Sequence, residues 1–300
     1  QVFRADAGSA AANSRCRDQV ARLGHARSMA PPPPCCPPES EPLLMMGDYM
    51  PLGEMVSVRD DLPCYVAKPP KPSKHAVIMF TDMFGVDTGR HKQICDDLAS
   101  NGFLTICPDF FVDAPYMKKH AWGISLSCAC EFICGLLCGG FDKITRGHAW
   151  EVSLREKVMD KVVPWLRSQG ADKFLTVGFC WGSYGAMRCC ALPDFVCGVS
   201  FHPSTEGFCK STKEDALAIC RSVRAPQLVV ATSGEPDSWK PGGVAQRACE
   251  EALPGHIIWK VEDKMSHGYM TRGDTKDPEI FEAVNRGLQD MIAFFKRHAS

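Results

Sequence analysis

The sequence has no excess of charge of either sign, because 34 Lys and Arg residues stand against 35 Asp and Glu residues. The charged residues are scattered along the chain, so no basic stripe exists that could neutralise a phosphate backbone. We therefore expect no nucleic-acid partner.

The sequence also lacks a typical membrane span. Residues 121–141 come closest, with Glu131 as their single charge. The first 28 residues lack the charged-then-apolar order of a secretory signal and are rich in Ala, Arg and Ser. For them a transit peptide and translated sequence upstream of a start at Met29 both stay open. The expected location of the protein is the cytoplasm.

Cysteine, in contrast, is abundant, with 17 residues spread through apolar runs of a long chain. This pattern predicts reduced thiols rather than a disulfide framework. Segment 122–141 holds Cys128, Cys130, Cys134 and Cys138, and the last three share one face if the segment is helical. They would then spread along roughly 12 Å of helix, which disfavours a metal site. We predict a packed lid insertion, with a membrane hairpin or interfacial anchor as the alternative, and neither a metal nor a cofactor.

The length of 300 residues favours one large domain with a tail. The proline-rich run at 31–38 predicts an extended tail over residues 1–50, and residues 51–300 would form the domain. From about Met55 onward, short apolar runs alternate with amphipathic ones, which predicts an α/β fold with a mostly parallel twisted sheet and helices on both faces. The predicted strands are His75–Thr81, Phe103–Cys107, Lys173–Gly178, Val196–Phe201, Gln227–Thr232 and Ile257–Val261.

The decisive motif is the Gly-Phe-Cys-Trp-Gly segment at 178–182, which an apolar strand precedes and a helix-compatible stretch follows. This order is typical of a nucleophile elbow, where the flanking glycines prevent a collision between strand and helix. Cys180 would then be the nucleophile, and the start of the helix would favour its thiolate. The amide of Trp181 would face a developing oxyanion.

A cysteine nucleophile needs an imidazole as base and a carboxylate that orients it. Asp237 lies in the loop after the strand at 227–232, and we predict it as the acid, with Glu235 as the alternative. His267 lies in the loop after the next strand, and we predict it as the base. This order of nucleophile, acid and histidine is that of the α/β-hydrolases.

Three further residues near these segments receive an interpretation. His202 follows the strand that ends at Phe201 and either lines the binding pocket or is a surface-loop histidine. Tyr269 follows His267 closely and is a further candidate for substrate binding. Ser183 falls inside the start of the helix rather than at the apex of the turn, so we assign it to packing or capping.

Together these segments resemble the dienelactone hydrolase family of α/β-hydrolases, which the carboxymethylenebutenolidases typify. The resemblance rests on residues 178–182, 234–237 and 267–269, and on Phe-Thr-Asp-Met-Phe-Gly-Val at 80–86 followed by Cys-Pro-Asp-Phe-Phe at 107–111. It covers about residues 56–295 and implies an α/β-hydrolase fold.

The resemblance also implies roles for residues outside the predicted triad. Asp82 matches the acid that interacts with the nucleophile and helps to generate its thiolate when substrate arrives, although bacterial enzymes of the family usually carry Glu there. The amide of Met83 would join that of Trp181 in the oxyanion hole. Arg272 would hold a carboxylate of the substrate.

The function predicted from the sequence is hydrolysis of a small-molecule lactone or carboxylic ester through a thioester on Cys180. Two alternatives stay open: a thioesterase or general carboxylesterase that uses the same residues, and a ligand-binding or redox-sensing protein that does not turn over. The sequence does not determine the oligomeric state or the physiological substrate.

Overall fold

The computed structural model describes residues 49–112 and 146–299. Its strands there are β1 (Glu54–Val58), β2 (Leu62–Ala67), β3 (His75–Phe80), β4 (Leu104–Pro108), β5 (Lys173–Phe179), β6 (Phe195–Phe201), β7 (Gln227–Thr232) and β8 (Ile257–Glu262). They form one sheet in the order β1-β2-β4-β3-β5-β6-β7-β8. The pairs β1–β2 and β2–β4 are antiparallel, and the pairs from β4 to β8 are parallel. The predicted mostly parallel sheet is confirmed.

The α-helices of the described ranges are α1 (His91–Ser100), α2 (Val163–Ser168), α3 (Gly182–Cys189), α4 (Thr205–Thr212), α5 (Ala216–Ser222), α6 (Val244–Ala252), α7 (Tyr269–Arg272) and α8 (Pro278–Ala299). Two π-helical segments, Trp150–Leu154 and Lys157–Val162, lead into α2. Pro164 lies in the first turn of α2.

The apolar runs of the central strands are buried on both faces of the sheet. Along β3, Ala76, Ile78 and Phe80 belong to one hydrophobic cluster, while Val77 and Met79 belong to the other. Successive side chains of a strand point to opposite faces, so a strand covered on both sides needs a continuous apolar run. This explains why all six predicted strands match β3 to β8 to within one residue at each end.

The hairpin of β1 and β2 was not predicted from the sequence. The burial of β1 is partial, so its pattern is weaker than that of the central strands, whereas β2 is buried almost throughout. Pairing with β4 fixes the hairpin at the edge of the parallel part of the sheet.

Several sequence predictions fall outside the described residues. These are the tail up to residue 48 and the cysteine-rich segment 122–141 with its proposed lid role. Within the described ranges, no helix has the length and hydropathy needed to cross a membrane.

Candidate active site

Cys180 lies at the sharp turn between β5 and α3, and its φ of 55° is in the left-handed region. A Cβ on Gly178 would lie 2.3 Å from the carbonyl oxygen of Gly182, and one on Gly182 would lie 2.3 Å from that of Phe80. Real Cβ atoms do not approach backbone this closely, so both positions require glycine. The structure therefore has the strained strand-to-helix turn that the motif at 178–182 predicted.

The turn at Cys180 is tied to the neighbouring turn after β6. The amide of Cys180 donates to the carbonyl of Phe201 at 3.1 Å, and the amide of Ser204 donates to the carbonyl of Cys180 at 3.0 Å. His202 lies between these two contacts, and it also has a positive φ, of 40°. Such strain persists only where surrounding contacts hold it, and here the two turns hold each other.

His267 is oriented by a carboxylate, but the carboxylate belongs to Glu235. Nδ1 of His267 lies 2.6 Å from Oε1 of Glu235, and both side chains are buried. The other oxygen of Glu235 accepts from the amide of Thr232 at the end of β7. Because Oε1 is an acceptor, Nδ1 carries the proton, and Nε2 is the ring nitrogen on the side of Ser204.

The prediction that Asp237 orients His267 is wrong. The Asp237 side chain is 96% exposed and pairs with Lys240 at 3.0 Å. Asp237 starts a 3₁₀ turn, Asp237–Trp239, that turns Trp239 into the core. This arrangement leaves Asp237 in solvent, while Glu235, the alternative in the sequence analysis, points inward.

Cys180 and His267 both contact a third side chain, that of Ser204. Its Oγ lies 3.4 Å from Sγ of Cys180 and 3.4 Å from Nε2 of His267. The sequence analysis did not select Ser204, although its position just after β6 places it at the same edge of the sheet as the other site residues.

The electrostatics of the site favour a protonated His267. Burial by itself lowers its pKa, but the charge of Cys180 and hydrogen bonds to Cys180 and Glu235 outweigh burial and raise the pKa to about 10.

Asp82 and Arg272 pair with each other. Nε of Arg272 lies 2.8 Å from Oδ2 of Asp82, and a terminal nitrogen lies 2.9 Å from Oδ1. Asp82 also accepts from the hydroxyl of Thr271 at 3.1 Å and from the amide of Phe84 at 3.0 Å. Burial raises the pKa of the Asp82 carboxyl, but the Arg272 guanidinium outweighs it and holds that pKa well below its usual range.

These contacts bear on two predictions. Both oxygens of Asp82 are bound to partners other than Cys180, so Asp82 does not act on the thiol in this structure. Arg272 is buried, and it also donates to Thr88 at 2.6 Å and lies over the ring of Phe84. In this structure its guanidinium is thus engaged by Asp82, Thr88 and Phe84, and its role toward a substrate carboxylate stays a prediction.

The ion pair instead connects the loop of Met83 to the loop of His267. Asp82 precedes Met83 directly, and Arg272 ends the short helix α7 that follows His267. In a buried ion pair both charged groups lose their hydration, so each must be compensated by hydrogen bonds to the other. Two parallel hydrogen bonds between them define the geometry of the pair. The pair thus ties the residue that precedes Met83 to the short helix that follows His267.

His91 supports the same loop as a neutral imidazole. Its Nδ1 donates to the carbonyl of Thr88 at 2.6 Å, and its Nε2 accepts from the amide of Asp82 at 3.2 Å. Burial lowers the pKa of His91, in agreement with one ring nitrogen that donates and one that accepts.

The ring of His202 packs against the imidazole of His267, and the ring of Tyr269 packs against the ring of His202. The ring of His202 lies 4.9 Å from that of His267 and 5.9 Å from that of Tyr269, centroid to centroid. Both are buried, which corrects the surface-loop interpretation of His202. A role of either side chain in substrate binding stays a prediction. Burial, followed by the nearby His267, lowers the pKa of His202. The neutral ring therefore supports His267 by packing.

The side chain of Trp181 is held among other aromatic rings. Its centroid lies 4.7 Å from that of Phe111, 5.9 Å from that of Phe208 and 6.2 Å from that of His148.

Ser183 is fully buried and donates to the carbonyl of Gly178 at 3.3 Å. The assignment of Ser183 to packing is confirmed.

Comparisons with known proteins agree with the fold and with the family that the sequence resembles. The sequence profile of the dienelactone hydrolase family matches residues 62–299. The carboxymethylenebutenolidase homolog of Mus musculus is 31% identical over 158 residues, which are 52% of this chain and 57% of that protein. The Homo sapiens homolog is 34% identical over 137 residues, or 45% of this chain and 48% of that protein. The chain thus spans about half the length of these curated relatives.

A solved structure from Klebsiella pneumoniae, assigned to the dienelactone hydrolases, superposes with a TM-score of 0.60 at 19% identity. The match covers 82% of this chain and 98% of that one. It shows that the two chains share a fold.

Proposed function

We propose, from the premise that this chain belongs to the dienelactone hydrolase family, that it hydrolyses a carboxylic ester or lactone with Cys180 as nucleophile. The observation that carries the proposal is the set of side-chain contacts that connects Glu235, His267, Ser204 and Cys180. Nδ1 of His267 donates to Glu235, and the hydroxyl of Ser204 contacts both Nε2 of His267 and the sulfur of Cys180.

The first chemical step is attack of the Cys180 thiolate on the carbonyl carbon of the substrate. The imidazolium of His267 stabilises the thiolate before attack, and it donates its Nε2 proton to the leaving alkoxide when the C–O bond breaks. The product of this step is a thioester on Cys180. In a lactone the leaving alkoxide stays attached to the acyl group.

The tetrahedral intermediate carries a negative oxygen that needs hydrogen-bond donors. We assign this role to the amides of Met83 and Trp181. Two features support the assignment: Trp181 is the residue that enters α3, and the Asp82–Arg272 pair holds the chain next to Met83.

The second half of the reaction releases the acid. His267, now neutral, takes a proton from water through Nε2, and the hydroxide attacks the thioester. The carboxylate of Glu235 stabilises the imidazolium that forms again. The thiolate leaves, and the site returns to its initial charge state.

Replacing Cys180 by Ala tests this proposal. We expect the variant to lose hydrolysis of every ester that the wild-type protein cleaves, while its near-UV circular dichroism stays unchanged. Hydrolysis that persists at the wild-type rate in Cys180→Ala would exclude this nucleophile.

A substrate panel tests the chemical class. It contains a neutral lactone, a lactone that carries a carboxylate, a p-nitrophenyl ester and an acyl thioester. Because Arg272 is committed to Asp82 and Thr88, we expect the neutral lactone or ester to have the higher kcat/KM. A strong preference for the acidic lactone would show that the ion pair opens on binding, and a preference for the thioester would favour a thioesterase.

A further inference from the structure

Ser204 occupies the N-cap position of α4 but does not cap the helix. A serine at this position normally accepts a hydrogen bond from one of the first helical amides, which stabilises the helix. Here the side chain of Ser204 makes no capping hydrogen bond. In contrast, Asp215, at the N-cap of α5, accepts from the amide of Leu217 at 2.8 Å.

The hydroxyl of Ser204 is directed instead at the two reacting side chains. It lies 3.4 Å from Sγ of Cys180 and 3.4 Å from Nε2 of His267. Its backbone amide donates to the carbonyl of Cys180 at 3.0 Å, so the position of the hydroxyl is tied to the elbow itself. A functional contact has thus replaced a local capping bond.

We propose that Ser204 is a third polar member of the reacting centre, whose hydroxyl bridges Cys180 and His267 and stabilises their thiolate–imidazolium pair. The inference deepens the proposed function and rests on it. A hydroxyl suits this place because it both donates and accepts one hydrogen bond. In the charged pair, Oγ–H donates to the negative sulfur while Oγ accepts from Nε2–H.

The same bridge fits the neutral pair with both hydrogen bonds reversed. The thiol then donates to Oγ of Ser204, and Oγ–H donates to the bare Nε2 of His267. When the thiol proton passes to Oγ and the Oγ proton passes to Nε2, Cys180 becomes a thiolate and His267 an imidazolium. Ser204 is again a neutral hydroxyl, so protons and charge balance.

The test measures alkylation of Cys180 by iodoacetamide between pH 5 and pH 9. The tryptic peptide at 174–188 contains Cys180 as its single cysteine, so mass spectrometry follows this site alone. In Ser204→Ala we expect the midpoint of the rate–pH profile to rise by roughly one pH unit, because a hydrogen bond to a charged sulfur is lost. Below the midpoint, the alkylation rate should fall by about tenfold. Ser204→Thr keeps a hydroxyl and should restore the wild-type profile.

A structural role would give a different result. Because no capping bond is lost, Ser204→Ala should keep the wild-type Tm and lower kcat more than it changes KM. Asp215→Ala is the matched control: losing a real cap should lower its Tm by roughly 2–4 °C and leave the alkylation profile unchanged.

Alkylation requires no turnover, so the inference and the proposed function fail separately. A Ser204→Ala profile that overlays the wild-type profile would overturn the bridging role, as would a Ser204→Thr variant as impaired as Ser204→Ala. Undiminished hydrolysis by Cys180→Ala would overturn the proposed function whatever the alkylation profile shows.

Discussion

Glu235→Gln distinguishes the carboxylate found beside His267 from the one that the sequence favoured. Glutamine keeps the size of the side chain, and its carbonyl oxygen still accepts from the amide of Thr232. The amide nitrogen then faces Nδ1 of His267, so the imidazole must present a bare Nδ1 and carry its proton on Nε2. This tautomer cannot take a proton from water, and an imidazolium is no longer paired.

The expected loss of hydrolysis rate in Glu235→Gln follows from the burial of the Glu235–His267 pair. Glu235 and His267 lie 2.6 Å apart, with side chains 1% and 6% exposed. Removing one partner of such a pair costs about 3–5 kcal/mol. If the full amount is lost in the transition state, the rate falls by roughly 150- to 5,000-fold, at about 1.36 kcal/mol per factor of ten.

The assay is steady-state hydrolysis of the best ester of the panel, with kcat and kcat/KM determined for Glu235→Gln and Asp237→Asn. Asp237 is exposed and pairs with Lys240, so Asp237→Asn should stay within about twofold of the wild-type rate. The reasoning would be refuted by the reverse ranking, in which Asp237→Asn is impaired and Glu235→Gln is not.

Two further predictions concern the framework of the site. Asp82→Asn should reduce the free energy of unfolding at pH 7 by about 3–5 kcal/mol, because it leaves the buried Arg272 unpaired. The folded state holds the pKa of Asp82 below its ordinary value of 3.8, so this stabilisation is present above that pH and is lost as the pH falls further. Urea unfolding at several pH values should thus show that the free energies of unfolding of the wild type and Asp82→Asn converge in acid. A difference between them that is constant with pH would contradict the ion pair as its cause. Gly182→Ala should destabilise the fold by at least about 1–3 kcal/mol, because its Cβ would meet the carbonyl of Phe80, and a thermal melt that matches the wild type would show that the turn tolerates a side chain.

The sequence was sufficient for features that depend on local pattern. Continuous apolar runs identify strands that are buried on both faces, and β3 to β8 match their predictions for this reason. The elbow at Cys180 was predictable because glycine is required two residues before and after it, for a steric reason visible in a short segment. His267 was predictable because it follows a strand whose end must face the elbow.

The tertiary structure alone decided which partners those residues have. Asp237 and Glu235 are two residues apart, and only the 3₁₀ turn that buries Trp239 determines which carboxylate points inward. The pairing of Asp82 with Arg272 joins residues 190 positions apart.

The role of Ser204 was hidden for the same reason. From the sequence alone, a serine before a helix is predicted to be an N-cap. Only the position of the Ser204 hydroxyl beside Cys180 and His267 indicates the bridging role. Local sequence thus determined the strands and the turn that presents the sulfur. The contacts that set charge and orientation depend on how distant loops meet at the sheet edge, because the direction of a side chain is fixed by packing and not by its position in the sequence.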